Sequence, residues 1–180
     1  MPTTAAPRRE QGCVHVYTGS GKGKTTAALG LCLRALGAGY RVYVGQFMKL
    51  GPSSEVKALN RFGDQLVLAQ FGTGRFVRGK PSESDCQAAR QGLQQAEAAV
   101  TSGEFRMVVL DECMVALHQG LLAAEAVHRL MDLRPAGMEL VFTGRHAPPD
   151  ILERADLVTD MVEVKHYYRN GILARVGIEK

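Results

Sequence analysis

Thr18-Gly19-Ser20-Gly21-Lys22-Gly23-Lys24-Thr25-Thr26 stands between an apolar run, Cys13 to Tyr17, and a longer apolar stretch, Ala27 to Leu36. Strand, glycine-rich turn, Gly-Lys-Thr and helix, in that order, is the layout of a phosphate-binding P-loop. Glycines let backbone N–H groups approach phosphate oxygens, because no Cβ intervenes. The helix start adds unpaired N–H groups and a positive dipole end. Lys24 supplies a point charge to the phosphates, and the Thr25 hydroxyl can ligate magnesium. A nucleoside triphosphate is therefore the leading ligand. Its candidate contacts are Gly19, Ser20, Gly21, Lys22, Gly23, Lys24, Thr25 and Thr26. The full motif has a glycine five residues before Gly23, where this chain has Thr18. That departure points to a loop that holds its triphosphate in its own way.

Outward from the loop, apolar runs recur at Val14–Tyr17, Val42–Phe47, Leu66–Phe71, Met107–Leu110, Leu140–Phe142 and Leu157–Val164. Helical patterns lie between them. Runs apolar at nearly every position suit buried parallel strands covered on both faces. The expected fold is α/β: a three-layer sandwich with a mostly parallel sheet and right-handed crossovers, a RecA-like P-loop NTPase arrangement. Ala27–Leu36 is apolar nearly all round and should be packed deeply. The longest helix should start near Pro81–Asp85, with Ser82 as N-cap, and run to about Ser102. Asn170-Gly171 after a strand reads as a hairpin turn leading to Ile172–Val176.

Three further stretches complete the candidate site. Met107–Leu110 ends in Asp111-Glu112. In P-loop proteins such a strand is expected beside the first one, with its terminal acid reaching magnesium directly or through water. If the strand continued, the two acids would point to opposite sides. Leu140–Phe142 runs into Thr143-Gly144-Arg145 at the carboxyl edge of the sheet, where α/β ligands bind. Arg145 is the candidate contact to phosphate or ribose. Phe71 to Pro81 combines glycine and proline breaks with Phe76, Arg75, Arg78 and Lys80, a composition suited to a lid over a large ligand.

Composition bounds the alternatives. One domain is expected from 180 residues, with 1–11 as a flexible tail and 12–180 as the nucleotide-binding unit. The first eleven residues lack the apolar core of a secretory signal, and no run is long enough for a transmembrane helix. A net charge of +4 suits anionic ligands but is too mild to argue for nucleic acid. The four cysteines are scattered and form no metal-thiolate pattern, which suits reduced thiols in a cytoplasmic protein.

The chain resembles the ATP:corrinoid adenosyltransferase family in its P-loop form, over residues 12–180. The resemblance is carried by Tyr17 to Ala28, Gln46-Phe47-Met48-Lys49, Gly72-Thr73-Gly74, Val109 to Glu112 and Thr143-Gly144-Arg145. It continues through Ala155 to Val158, Lys165-His166-Tyr167 and Gly177-Ile178-Glu179. It implies transfer of the 5′-deoxyadenosyl group of ATP to the cobalt(I) of a reduced corrinoid, with triphosphate released, in adenosylcobalamin biosynthesis or salvage. Lys24 and Glu112 are then the catalytic pair, electrostatic and metal-holding, with no general base expected. Thr25, Asp111 and Glu112 are the candidate Mg2+ ligands. Related members carry an aromatic pair after the Gly-Thr-Gly start. Here the corrinoid-side stretch is Gly74-Arg75-Phe76-Val77, and the chain has no tryptophan. Arg75, Arg78 and Lys80 suit a corrinoid with free carboxylates. The resemblance also implies a homodimer and a flavoprotein reductant, without nucleic acid or membrane. The competing readings are a P-loop nucleoside kinase or ATPase, which would make ADP or AMP, and an ATP-gated binding module.

Overall fold

The structure, a computed structural model, describes residues 11–75 and 79–179. Six strands form one sheet in the order β3-β2-β4-β5-β1-β6. They are β1 (Val14–Thr18), β2 (Val42–Phe47), β3 (Leu66–Phe71), β4 (Met107–Asp111), β5 (Glu139–Thr143) and β6 (Leu157–Asp160). Every neighbouring pair is parallel. The helices are α1 (Lys24–Gly37), α2 (Ser54–Leu59), α3 (Glu83–Thr101), α4 (Cys113–His118), α5 (Ala124–Leu133) and α6 (Pro149–Arg154).

The continuous apolar runs are explained by cover on both faces. Val42 and Val44 of β2, with Met107 and Val109 of β4, pack against Ala28, Cys32, Ala35 and Leu36 of α1. Tyr43, Phe47, Val108 and Leu110 turn to the other side, against α3, α4 and α5. Alternation along each strand thus fills two apolar layers, as a three-layer sandwich requires. Helix α1 buries one face only: Leu33 is 56% exposed, against the expectation of deep packing all round. Ser82 caps α3 as expected. Its hydroxyl accepts from the Asp85 N–H, and the Asp85 carboxylate accepts from the Ser82 N–H, a reciprocal capping box.

Three expectations are corrected. First, β4 is not beside β1; β5 lies between them and pairs with both. Second, β4 stops at Asp111, because Glu112 turns to a left-handed backbone (φ 59°) and caps α4. The two acids therefore do not alternate along one strand. Third, there is no hairpin at Asn170-Gly171. Tyr167–Asn170 is a short 3₁₀ turn ended by Gly171 in the left-handed region. The strand before it ends at Asp160 rather than Val164, because the chain leaves the sheet to meet the P-loop: the Gly21 N–H donates to the Met161 carbonyl at 2.6 Å.

Candidate functional site

The loop between β1 and α1 is held from below and from the side. Thr18, where the motif would have glycine, is the last residue of β1 and pairs with Asp160. It is still strand, so it needs no special backbone freedom. Gly19 does need it. Its φ is +96°, and a Cβ there would lie 2.2 Å from Asp160 Oδ1 and 2.6 Å from the Met161 carbonyl. Gly23 takes φ 115° as the N-cap of α1. The N–H groups of Gly23, Lys24 and Thr25 carry no backbone hydrogen bond among the described residues, as the start of a helix dictates. The Gly21 N–H, by contrast, is already committed to Met161.

Lys24 is nearly buried, and its ammonium donates to the carbonyls of Gly19 at 2.8 Å and Gly21 at 2.6 Å. Burial lowers its pKa, and the Arg145 charge lowers it further. Lys22 turns the other way. Its ammonium donates to Tyr167 Oη at 2.9 Å and to Glu179 Oε1 at 3.0 Å, tying the loop to the end of the described chain. Those two partners raise its pKa, Tyr167 most.

Asp111 sits at the carboxyl end of β4 with no exposed surface. Oδ1 accepts from Thr25 Oγ1 at 2.8 Å and from Thr143 Oγ1 at 2.7 Å. Oδ2 accepts from Gln46 Nε2 at 3.1 Å and from Lys49 Nζ at 2.8 Å. Burial alone would push this carboxyl up. The Lys49 charge, with hydrogen bonds from Lys49, Thr143 and Thr25, overcomes that and leaves it below its ordinary value. Both oxygens are therefore occupied by donors. Glu112 differs. Its carboxylate takes no hydrogen bond among the described residues and faces the cavity. Burial and the neighbouring Asp111 charge raise its pKa, against the pull of Lys49, Lys24 and Arg145.

These groups surround one cavity of about 630 Å3. Of the expected nucleotide contacts, Gly21, Lys22, Gly23, Lys24, Thr25, Thr26 and Arg145 line it, together with Glu112. Gly19 and Ser20 lie outside the lining, and Asp111 lies beneath it. Gly74 and Arg75 do not reach it; Arg75 lines a separate small cleft with Thr73 and Asp85. Phe76 and Val77 of the expected corrinoid-side stretch lie outside the described residues, as does Arg78 of the expected lid.

Gln46, Lys49, Thr143 and His166 stand in the sequence as carriers of the family resemblance, without a role in the site. Lys49 and His166 line the cavity, while Gln46 and Thr143 hold Asp111. A signal did exist. Gln46, Gln70 and Thr143 are polar residues at the carboxyl ends of otherwise apolar strands, level with Asp111 or beside it in the sheet. Ligands of α/β sheets gather at that edge.

The donor set fits a hard dication. Thr25 spends its proton on Asp111, which leaves the hydroxyl oxygen's lone pairs for a cation. Glu112 offers a free carboxylate beside it. Among the described residues no group of three or more His, Cys, Asp or Glu could hold a metal alone. Mg2+ is commonly held by one or two protein oxygens plus phosphate. No helix among the described residues is long and apolar enough to cross a membrane.

Comparison with known proteins identifies the family. Residues 10–179 match the family model described as ATP:corrinoid adenosyltransferase BtuR/CobO/CobP. The chain is 36% identical to the corrinoid adenosyltransferase of Pseudomonas aeruginosa over 176 residues, covering 97% of this chain and 87% of the relative. It is 36% identical to that of Escherichia coli, over 97% of this chain and 89% of the relative. It is 35% identical to the corrinoid adenosyltransferase CobA of Salmonella typhimurium, again over 97% and 89%. With a family match that spans nearly its whole length and relatives more than a third identical to it, the chain belongs to the ATP:corrinoid adenosyltransferase family.

Proposed function

We propose that the cavity binds ATP with its triphosphate along Gly21–Thr26, and that the chain presents the ribose 5′-carbon to the cobalt of a reduced corrinoid. The observation that carries this reading is the ring of cations around one cavity. Lys22, Lys24, Lys49 and Arg145 all line it, with the unpaired N–H groups of the loop. Such a ring matches a leaving group that is the entire triphosphate. Cobalt(I) supplies the electron pair for the new Co–C bond. The C5′–O bond breaks, and its electron pair departs on the triphosphate. No proton moves in that step, so a general base has no task. The chain's work is alignment and charge stabilisation at the leaving oxygens.

In this reading Lys24 leaves the Gly19 and Gly21 carbonyls to meet phosphate. Thr25 and Glu112 hold Mg2+, which neutralises charge on the polyphosphate. Asp111 orients Thr25 rather than touching the metal, because its oxygens are already filled. Arg145 reaches phosphate or ribose from the β5 side. Gly74 and Arg75 face the corrinoid side, Arg75 favouring corrinoids with free carboxylates. A flavoprotein reductant and a second copy of the chain complete the reading.

The test is product analysis after anaerobic incubation with ATP, Mg2+ and chemically reduced corrinoid. Adenosylated corrinoid and inorganic triphosphate in equal amounts are expected. ADP, or AMP with pyrophosphate, would point to the kinase or ATPase reading instead.

A further inference from the structure

Gln46 is a fully buried amide near the carboxyl end of an apolar strand. A buried amide is costly unless its donor and acceptor ends are both paired. Both are. Gln46 Nε2 donates to Asp111 Oδ2 at 3.1 Å, and Gln46 Oε1 accepts from Gln70 Nε2 at 2.9 Å. Gln70 Oε1 in turn accepts from the Gly51 N–H at 3.0 Å. The three side chains stand on one rung of the sheet, since Gln46 is paired in register with both Gln70 and Asp111.

The direction of this chain is forced from one end. An ionised carboxylate only accepts, so Gln46 must turn its NH2 to Asp111. Its oxygen then faces Gln70, which must turn its own NH2 inward and its oxygen out to Gly51. The relay ends in the loop that carries Lys49, and Lys49 returns to Asp111 Oδ2 at 2.8 Å. The loop is therefore fastened to one carboxylate twice, directly and through two amides. It also has no slack on its outer side. The Met48 N–H donates to the Phe71 carbonyl at 2.8 Å. A Cβ on Gly72 would lie 2.7 Å from the Lys49 nitrogen.

We infer that Gln46 and Gln70 are positioning residues for the nucleotide: through their one-way amide chain they hold the Met48–Gly51 loop so that Lys49 stands at the cavity edge as a phosphate cation. The inference rests on the nucleotide reading above. Neither glutamine lines the cavity. Each acts through Asp111 and Lys49, and neither is expected to touch substrate.

Gln70→Glu tests it. An ionised glutamate cannot donate to Gln46 Oε1, so Gln46 is pressed to turn round and Asp111 loses a donor. A protonated glutamic acid has one O–H donor and one carbonyl acceptor, the same pair that glutamine offers here. Charged groups on the relay itself, Asp111 and Lys49, are common to both proteins. Mg-ATP affinity relative to wild type, measured by calorimetry from pH 8 down to pH 4.5, which spans the ordinary range of a glutamic acid, should be weakened roughly 10-fold in Gln70→Glu at the alkaline end, the scale of one hydrogen bond to a charged group. It should return toward wild type as the pH falls. Gln70→Ala, with no donor at any pH, should be weakened throughout and show no return. Recovery on acidification also shows that the Gln70→Glu protein was folded. A Gln70→Glu affinity equal to wild type at pH 8, or one whose pH course parallels Gln70→Ala, overturns the inference while leaving the nucleotide reading intact. Wild-type protein that binds no Mg-ATP overturns both.

Discussion

The Thr25 hydroxyl donates to Asp111 Oδ1 at 2.8 Å, which joins the start of α1 to a strand two places from β1 in the sheet. β5 fills the intervening place, and its Thr143 donates to the same oxygen at 2.7 Å. Asp111 thus organises the floor of the cavity, while Glu112 is left to face into it.

Exchanging the two carboxylates for amides should separate these roles. Glu112→Gln should raise the Mg2+ concentration needed for half-maximal rate and change thermal stability little, since a neutral amide is a poorer ligand for a hard cation. Asp111→Asn should chiefly destabilise. It places an NH2 among side chains that all donate to position 111, a loss of about 3 kcal/mol for a broken buried network, or roughly 6–12 °C in Tm for a chain of this size. Mg2+ titrations and melting curves on both variants check this. A raised Mg2+ requirement in Asp111→Asn alone would reverse the assignment.

Lys24→Ala should lower the rate by ~10²–10³ through loss of one preorganised charge. The fold should survive, because the Lys24 ammonium bonds only to carbonyls of its own loop. Turnover at saturating ATP, with circular dichroism on the same sample, decides it. Near-normal turnover would remove the phosphate role.

Acid sensitivity should pass through Lys49. The Asp111 carboxyl lies below its ordinary value of 3.8, so its contribution to stability is present above that pH and is lost as pH falls through the depressed value. Lys49→Met removes the leading lowering influence, which lets burial push the carboxyl up. The decline of Tm on acidification should then begin at higher pH than in wild type. At neutral pH the loss should be about 1.5–3 kcal/mol, the scale of a hydrogen bond to a charged group. Parallel curves for the two proteins would contradict this.

Cys32 and Cys113 should be inert to thiol reagents at pH 8 until the protein unfolds. Both are buried, and burial pushes each thiol up to about 12. Thiolate is the reactive species. Labelling followed by peptide mass analysis, with and without denaturant, reads this directly. Modification of either residue in the folded protein would show that the core opens locally.

Glu179→Ala should loosen the end of the described chain. Glu179 accepts from Lys22, from Tyr167 and from the Arg175 N–H, and those contacts, Arg175 foremost, draw its carboxyl well below the usual range. Amide exchange over residues 166–179 should be faster in the variant, and Lys22→Ala should give part of the same effect. Unchanged exchange in both would mean that this node does not hold the segment.

Local features were legible in the sequence because their causes are local. The turn glycines, the Ser82 cap and the continuous apolar runs each act within a few residues. The end of the chain misled for a related reason. Asn-Gly favours a left-handed residue, and a hairpin turn is one use of it, but Gly171 uses the same freedom to end a 3₁₀ turn. What could not be read was convergence. Gln46, Lys49, Asp111 and Thr143 meet because β4 lies between β2 and β5, and strand order is not written in any one segment. The carboxyl-edge position of these polar residues was visible; their mutual register was not.

The resting contacts of Lys24 also set a limit on how tightly the loop can hold an anion. Any polyphosphate that draws this ammonium away must replace two short bonds, at 2.8 and 2.6 Å, that the protein makes with itself. Net affinity is only the difference between the two sets of contacts. On the proposed reading, when a polyphosphate departs the same two carbonyls would take the lysine back, so the emptied loop would not be left with an unpaired buried cation. An internal competitor of this kind favours turnover over retention: it weakens the grip on spent product as much as on fresh substrate.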